Sequence, residues 1–434
     1  MTKLFSLFII SCFFLLSCSN LQPVYFSEIK DLKQLPQDTR SLNIEEIPEI
    51  ITTNKLLFSA WNTKHVDKWN GMSFKELKRK IGENIERLKH SYNEVLAQRT
   101  PDEFNSDLKN ANFKDLFEER RYALIRRNTD LRSLPTIRPY FNNPLSPGEG
   151  YPFDHAQETH LYIGSPVLLS HYSQDKAWAF ILTNDHMAGF IKVQDLMIIP
   201  AREAKILMNS HKFGVVIKEN LNIYDNNDNF IEHIKLGTIL PTTSENGKLK
   251  VLVPTHHGLE EIKINPNDIA VNPLAFSKSN IDMIANQLIA RPYGFGGYLG
   301  NRDSSQLVKD FYAPFGLYLP RNSKEQSEFF PHKTLDVSNL SVKEKLRLLK
   351  EKGKPFGALI YKKGRIAIYA GDFEGKPVML HSVWGVVLSK GKNLSRNVIG
   401  KSVISSSKIG KELDNYSKKD SFIYKASKII FLYK

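Results

Sequence analysis

The sequence predicts a multidomain α+β protein with a helical N-terminal segment, two successive small β-barrels and a C-terminal α+β domain. Apolar residues recur every three to four positions from Met72 to Ala97, which is typical of an amphipathic helix. Short apolar or alternating runs separated by turn residues fill 123–273, as expected for small barrels. Helical patterns followed by strand patterns occupy the chain beyond Asn280, which favours one layered domain. The predicted divisions are a leader at 1–17, the helical segment at 18–122, the barrels at 123–200 and 201–275, and the last domain at 276–434.

The composition indicates several packed cores and a basic protein. The chain has 434 residues, of which 41% are apolar, and Lys and Arg outnumber Asp and Glu by 60 to 46, for a net charge of +14. The basic residues are spread along the chain, which suits a protein working near an anionic surface such as cell wall or lipid headgroups. No basic stretch is interleaved with aromatic residues, so no nucleic-acid partner is predicted.

The N-terminus has the pattern of an export signal. Lys3 precedes an apolar run from Leu4 to Leu16, which is too short to span a bilayer comfortably. The run closes with Leu-Leu-Ser and Cys18, which resembles the lipobox of bacterial lipoproteins and implies acylation of the Cys18 sulfur after cleavage. The alternative is an ordinary signal peptide with a chance cysteine. We expect an exported, lipid-anchored protein, on the periplasmic side of the outer membrane in a Gram-negative organism and at the cell surface otherwise.

The remaining candidates for metal and thiol chemistry are few. Cys12 and Cys18 are the only cysteines, so the folded part holds no disulfide and no cysteine nucleophile. His256 and His257 are adjacent and point in different directions, and they have no acidic or cysteine partner at a suitable spacing. No metal site and no cofactor are predicted.

The elements follow in order along the chain. One helix is predicted from Met72 to Ala97 and a shorter one from Phe104 to Tyr122, separated by Thr100 and Pro101. The two barrels are predicted from strand-like runs, at 167–169, 178–182 and 189–191, then at 213–217, 221–224, 238–240, 249–253 and 261–264. The last domain has predicted helices at 281–290, 304–312 and 342–350 and predicted strands at 357–361, 365–370, 378–387 and 422–431.

A glycine-rich motif opens the helix at Ser304. From Tyr293 to Ser305 the chain reads YGFGGYLGNRDSS, and Phe311, the stretch from Phe315 to Ser323 and Gln326 follow. This region closely resembles the core of NlpC-type peptidases, in which a glycine-rich approach leads to an Arg-Asp-Cys-Ser motif at the start of a helix.

Three upstream motifs resemble the multidomain subgroup of the same family. They lie from Phe58 to Trp61, from Arg132 to Thr136 and from Pro152 to Gln157. That subgroup carries bacterial SH3-like barrels before its catalytic domain. The resemblance covers almost the whole mature chain and implies two SH3-like barrels followed by a papain-like α+β domain of the NlpC type.

The resemblance also implies a substrate class and a catalytic machinery. The family cuts peptidoglycan stem peptides, typically between D-glutamate and the diamino acid, with a cysteine nucleophile, a histidine base and a third residue that orients the base. Here Ser304 stands at the nucleophile position, Arg365 at the base position and His381 at the orienting position. A serine hydroxyl needs a neighbouring base, and a guanidinium cannot accept a proton. We therefore expect a domain that does not hydrolyse stem peptides.

A silent cleft can still bind a ligand. Arg302 and Arg365 are expected to pair with ligand carboxylates and Asp303 with an amine, with Tyr293 and Asp154 as further ligand contacts. The alternatives are that Asp303 caps the following helix, that Arg302 forms a surface ion pair and that Asp154 only forms a turn.

Three functions remain open at this point. The first is a lipid-anchored protein that recognises stem peptides, or that acts with a partner wall enzyme, without cutting. The second is an active amidohydrolase that cuts the D-glutamyl-diamino acid bond, with serine-dependent chemistry as one option. The third is a protein-interaction scaffold with a closed groove. An open, charged groove beside Ser304 would favour ligand binding, and a groove filled by side chains would favour the scaffold.

Overall fold

The computed structural model describes residues 24–44, 46–53, 61, 68–69, 72–209, 212–245 and 248–434. Cys12, Cys18 and the predicted leader lie outside the described residues, as does most of the Phe58 to Trp61 motif. No helix among the described residues is long and apolar enough to cross a membrane.

The N-terminal part contains short strands and three helices. They are β1 (Val24–Tyr25), α1 (Lys30–Gln34), β2 (Lys68–Trp69), β3 (Met72–Ser73), α2 (Phe74–Glu86) and α3 (Pro101–Asn110). Ser73 caps α2 by accepting a hydrogen bond from the Glu76 N–H, and Thr100 and Glu103 form a capping box at α3. Both helices pack on the sheet that follows, whereas β1 pairs with a strand of the last domain.

Both predicted helices are shorter than the apolar periodicity indicated. The first ends at Glu86 and is followed by turn residues at 87–90; further on, the Asn93 side chain accepts hydrogen bonds from the N–H groups of Val95 and Ala97, which forms a turn where the apolar pattern predicted helix. The second ends at Asn110, since Asn112 has a left-handed backbone with φ of 54°.

The first sheet is antiparallel and contains seven strands in the order β10-β4-β7-β8-β9-β5-β6. The strands are β4 (Arg121–Ile125), β5 (Thr129–Arg132), β6 (Gln157–Leu161), β7 (Pro166–Tyr172), β8 (Trp178–Thr183), β9 (Ala188–Lys192) and β10 (Leu196–Ile198). Alternating side chains of these strands form one buried core, which includes Ile125, Leu169 and Ile181.

The second sheet has five strands in the order β16-β15-β14-β11-β17, and a two-stranded β12-β13 ribbon shares its core. Helix α4 (Ala201–Asn209) precedes it. The strands are β11 (Phe213–Val216), β12 (Leu221–Tyr224), β13 (Phe230–Ile234), β14 (Ile239–Glu245), β15 (Lys248–Pro254), β16 (Leu259–Lys263) and β17 (Ile269–Ala270).

The third sheet has seven strands in the order β1-β22-β21-β20-β19-β23-β18. The last domain comprises α5 (Lys278–Leu288), α6 (Ser304–Tyr312), α7 (Ser323–Glu328), β18 (Thr334–Asp336), α8 (Val342–Lys352), β19 (Ala358–Lys362), β20 (Arg365–Phe373), β21 (Lys376–Lys390), β22 (Asn393–Ser406), α9 (Phe422–Lys425) and β23 (Lys428–Phe431). Helices α5 and α6 pack on one face of the sheet, and α8 and α9 pack on the other.

The sequence patterns in the last domain need two corrections. The run at 422–431, predicted as one strand, forms helix α9 and then strand β23. The run has too few apolar residues to distinguish a helical period of 3.6 from a strand period of 2. Strand β22 was not predicted, because polar residues outnumber apolar ones in its first half and do not alternate with them regularly.

Candidate functional site

The glycine-rich segment before Ser304 turns tightly against the first sheet. Its residues Phe295–Gly300 form a kinked 3₁₀ turn, with φ of 57° at Gly296 and 83° at Gly297. A Cβ atom on Gly296 would lie 2.7 Å from the carbonyl oxygen of Gln157, and one on Gly297 would lie 2.7 Å from the backbone nitrogen of His160. Glycine is required here both for the positive φ and for the close approach to β6.

Ser304 is the first residue of α6 and is only 6% exposed. Asp303 caps the helix by accepting a hydrogen bond from the Gln306 N–H at 2.8 Å. The Ser304 hydroxyl accepts a hydrogen bond from the Ile366 N–H at 3.3 Å. In the described part of the chain, no hydrogen bond joins Ser304 to a histidine or a carboxylate. The contact that Ser304 makes therefore cannot take up its hydroxyl proton.

Arg365 precedes Ile366 on β20 and lies at the wall of the groove that contains Ser304. His381 is on the neighbouring strand β21, where Leu380 pairs with Ile368 of β20. The His381 ring is 3% exposed, its Nε2 lies 2.8 Å from the Ser405 hydroxyl, and its ring contacts Phe422. Burial lowers the pKa of His381 to about 3, helped by the charges of Arg365 and Lys362.

His381 is consequently neutral at physiological pH and does not line the Ser304 groove. It borders a separate cavity of about 30 Å³ that Arg365 also lines. The structure brings Ser304 and Arg365 to one groove and places His381 behind Arg365.

The Ser304 groove is open and has a volume of about 860 Å³. Helix α2 forms one wall, residues of β6 and β9 form a second, and Tyr293, Ser304, Arg365 and Ser382 form the third. Acidic and basic side chains line it in nearly equal number. The contribution of α2 could not be expected from the sequence, because no local pattern shows where a distant helix packs.

Glu158 of β6 fixes one corner of the groove. Its carboxylate accepts hydrogen bonds from the Asn84 amide of α2, at 2.9 Å, and from the Ser133 hydroxyl. Burial raises the pKa of Glu158. Sequence reasoning missed this residue, since a single Glu in a strand carries no specific signal.

Arg321 was also missed as a site residue. Its guanidinium is buried and forms a two-pronged ion pair with the Asp303 carboxylate, at 3.1 and 2.8 Å, and it donates to the Thr159 hydroxyl at 2.6 Å. The Asp303 carboxylate is thus committed to helix capping and to Arg321.

The prediction that Arg302 contacts a ligand is wrong, because its side chain is buried and paired within the protein. Arg302 is 2% exposed and donates to both carboxylate oxygens of Glu219, at 2.8 and 2.9 Å, and to Asp310 at 2.6 Å. It also donates to the Leu236 carbonyl at 3.0 Å. Arg302 therefore forms an ion pair, as the alternative expected, but the pair is buried and joins the connections after β11 and β13 to α6.

Asp154 likewise lies away from the groove. It is 1% exposed, pairs with Arg132 at 2.8 Å and accepts hydrogen bonds from the N–H groups of Tyr140 and Ala156. Asp154 therefore stabilises the loop before β6, and the prediction that it contacts a ligand in the cleft is wrong. Tyr293 does line the groove, and burial raises the pKa of its hydroxyl.

The described residues contain no group of three His, Cys, Asp or Glu side chains placed to hold a metal ion.

Comparisons with known proteins bear on both halves of the chain. Residues 139–192 match the family model for the SH3 domain (SH3b1 type). A solved NlpC/P60 endopeptidase from Photobacterium damselae subsp. piscicida is 23% identical, with a TM-score of 0.77 over 94% of this chain and 99% of that one.

A second solved structure, an NlpC/P60 family protein from Bacillus cereus ATCC 10987, is 17% identical over 72% of this chain and 100% of that one. Its TM-score of 0.46 adds nothing to the assignment. No curated protein sequence matches the chain. The resemblance read from the sequence is confirmed at the level of the fold: the chain is built on the scaffold of NlpC/P60 endopeptidases and contains an SH3-like domain.

Proposed function

We propose that this protein is a lipid-anchored pseudopeptidase that recognises peptidoglycan stem peptides without cutting them. The observation that carries the proposal is the open groove beside Ser304, with its mixture of acidic and basic side chains. A filled groove would have favoured a purely structural scaffold. A stem peptide bears both carboxylates and amines, so a groove with both charges suits it.

The absence of cutting is proposed from the chemistry at positions 304 and 365. Ser304 receives a hydrogen bond from a backbone N–H, and its neighbour Arg365 cannot act as a base. His381 is neutral, but its Nε2 lies at hydrogen-bond distance from the Ser405 hydroxyl and the ring does not line the Ser304 groove. Loss of a nucleophile and base that act together removes several orders of magnitude in rate.

Hydrolysis by Ser304 is the second candidate, because Glu158 lines the same groove and has a raised pKa, as a general base requires. Its hydrogen bonds to Asn84 and Ser133 favour a structural role over proton transfer. The anchor at Cys18, the location of the protein and a partner among wall enzymes are proposed from the sequence alone.

The test uses full-length protein purified in detergent and defined muropeptides. Cleavage is followed by mass spectrometry and binding by calorimetry, for the native protein, Ser304→Cys and the double variant Ser304→Cys with Arg365→His. We expect binding without cleavage by the native protein and by the single variant. Cleavage by native protein would overturn the proposal, and its loss in Glu158→Gln would identify the base. If the native protein neither binds nor cuts the muropeptides, the proposal is also overturned, and the third function, a protein-interaction scaffold, remains.

A further inference from the structure

A second pocket, with a volume of about 340 Å³, adjoins the Ser304 groove. Residues of β6, the β8–β9 turn, the start of β14 and α6 line it. His186, Met187 and Arg321 line both the groove and this second pocket, so the two share part of one wall. Pockets that bind small molecules in proteins commonly have volumes of about 300–1,000 Å³.

The charged side chains of the second pocket are already paired. Its lining Lys, Arg and Asp residues all form ion pairs within the protein: Lys309 with Asp185, Asp310 with Arg302, and Arg321 with Asp303. A charged ligand would have to compete with these pairs, and burying a charge without a partner is costly. The second pocket therefore suits an uncharged ligand.

The rest of the wall combines apolar rings with hydrogen-bonding groups. Tyr162, Tyr318 and Phe329 contribute aromatic rings, and Ser165 and Thr183 contribute hydroxyl groups. A mainly apolar wall with a few polar groups is typical of small-molecule sites. A sugar ring matches this wall, because its C–H groups form apolar faces and its hydroxyl groups lie at the edge.

Gln306 of α6 brings an amide oxygen to the second pocket. The residue is 5% exposed, and its Nε2 donates to the Asp310 carboxylate at 2.7 Å and lies 3.4 Å from the Tyr162 hydroxyl. Nε2 is the atom that faces Asp310, because an amide oxygen in its place would meet a carboxylate oxygen. The Oε1 atom accepts no hydrogen bond from the described residues, so it can accept one from an N–H or hydroxyl group of a ligand.

We propose that the second pocket binds an N-acetylated amino sugar of the glycan to which the stem peptide is attached. The sugar is uncharged once its lactyl carboxyl is joined to the peptide, and its acetamido N–H is a donor for Gln306 Oε1. The inference rests on the proposed function, since the peptide in the Ser304 groove and its sugar are parts of one molecule. It extends recognition from the peptide to the glycan.

The experiment compares two ligands that differ only in the sugar ring. A muramyl tripeptide, and the same tripeptide with a lactoyl cap in place of the sugar, are titrated calorimetrically into full-length protein. The detergent has no sugar headgroup, because such a headgroup would compete for the site. N-Acetylglucosamine, followed by saturation-transfer NMR, serves as a sugar that needs no peptide recognition.

The proteins are native, Ile239→Trp, Ile206→Trp and Gln306→Met. Ile239 is half-buried at the wall of the second pocket, so an indole at this position fills the pocket. Ile206 is 63% exposed on α4, where the same substitution serves as a matched control. Gln306→Met keeps the length of the side chain and removes its amide.

We expect native protein to bind the muramyl tripeptide about tenfold or more tightly than the capped tripeptide. Ile239→Trp and Gln306→Met should lose most of this gain, and Ile206→Trp should keep it. Equal affinities of native protein for the two ligands, or a gain that persists in Ile239→Trp, would overturn the sugar site and leave the proposed function standing.

If neither ligand binds, the proposed function fails, and N-acetylglucosamine decides the sugar site. Saturation transfer with native protein and Ile206→Trp, and none with Ile239→Trp, would support the site. Any other pattern would overturn it. Gln306→Met takes the place of Ile239→Trp in each comparison if Ile239→Trp does not fold.

Discussion

The Ser304 hydroxyl and the Ile366 N–H form a hydrogen bond of 3.3 Å that joins the start of α6 to β20. The contact places Ser304 next to Arg365, the two residues that our proposal assigns to the nucleophile and base positions. A serine hydroxyl needs a neighbouring proton acceptor to attack a peptide bond, and a guanidinium is not one.

Replacing Ser304 with Cys should create a reactive thiolate. The helix N-terminus and the adjacent Arg365 both favour negative charge at this position, so the thiol pKa should fall below its free value. We expect iodoacetamide to modify Ser304→Cys several-fold faster at pH 7 than Ser304→Cys combined with Arg365→Gln. Native protein, whose only cysteines are Cys12 and Cys18, gives the background rate. Equal rates with and without Arg365 would show that its charge does not reach position 304.

Glu219→Gln should strongly destabilise the fold. The change leaves Arg302 buried with one carboxylate partner fewer, and breaking a buried pair typically costs about 3–5 kcal/mol. The free energy of unfolding in urea measures the effect. Arg347→Ala, which breaks the exposed pair with Glu351, should change it by less than about 1 kcal/mol. If Glu219→Gln also loses less than about 1 kcal/mol, the buried cluster of Arg302, Glu219 and Asp310 is not needed for stability.

His381 should make the protein sensitive to acid. The pKa of this ring is about 3 in the folded protein, against an ordinary value of 6.5 in an unfolded chain. Between these values the unfolded state binds more protons, so stability falls as the pH falls below about 6.5. From pH 7 to pH 4.5, native protein should lose about 2 kcal/mol more unfolding free energy than His381→Gln. Parallel pH profiles in urea denaturation would contradict this assignment.

Lys362 should make the stability of the protein depend on pH under alkaline conditions. Its pKa of about 8 in the folded protein lies below the ordinary lysine value of 10.5, so between these pH values the unfolded state holds the proton and the folded state does not. The stability of native protein should therefore rise as the pH increases from about 8 to 10.5. Lys362→Gln should be more stable than native at pH 7 and should lack this rise. Lys376→Gln, measured in the same way, should behave like native protein.

Some of the fold and the site could be predicted from the sequence. The order of a helical region, two β regions and an α+β domain follows from hydrophobic period and turn residues, which are local. The early ends of α2 and α3 were not predicted, since the apolar pattern contains neither the side-chain hydrogen bonds that form a turn at Asn93 nor the left-handed backbone of Asn112. Strand β22 was missed for the same reason, because its pairing with β21 outweighs its polar composition.

The sequence by itself determined which residues stand at the proposed nucleophile and base positions: Ser304 at the start of α6 and Arg365 at the start of β20, with no cysteine among the described residues. The identity of a residue does not depend on its tertiary contacts. Only the tertiary structure decided what the surrounding charges do, because an ion pair depends on segments that meet in space. Glu219, in the connection between β11 and β12, pairs with Arg302, and Arg132 of β5 pairs with Asp154 in the loop before β6. Arg365 meets no carboxylate in the described chain and is left facing Lys362 beside an open groove.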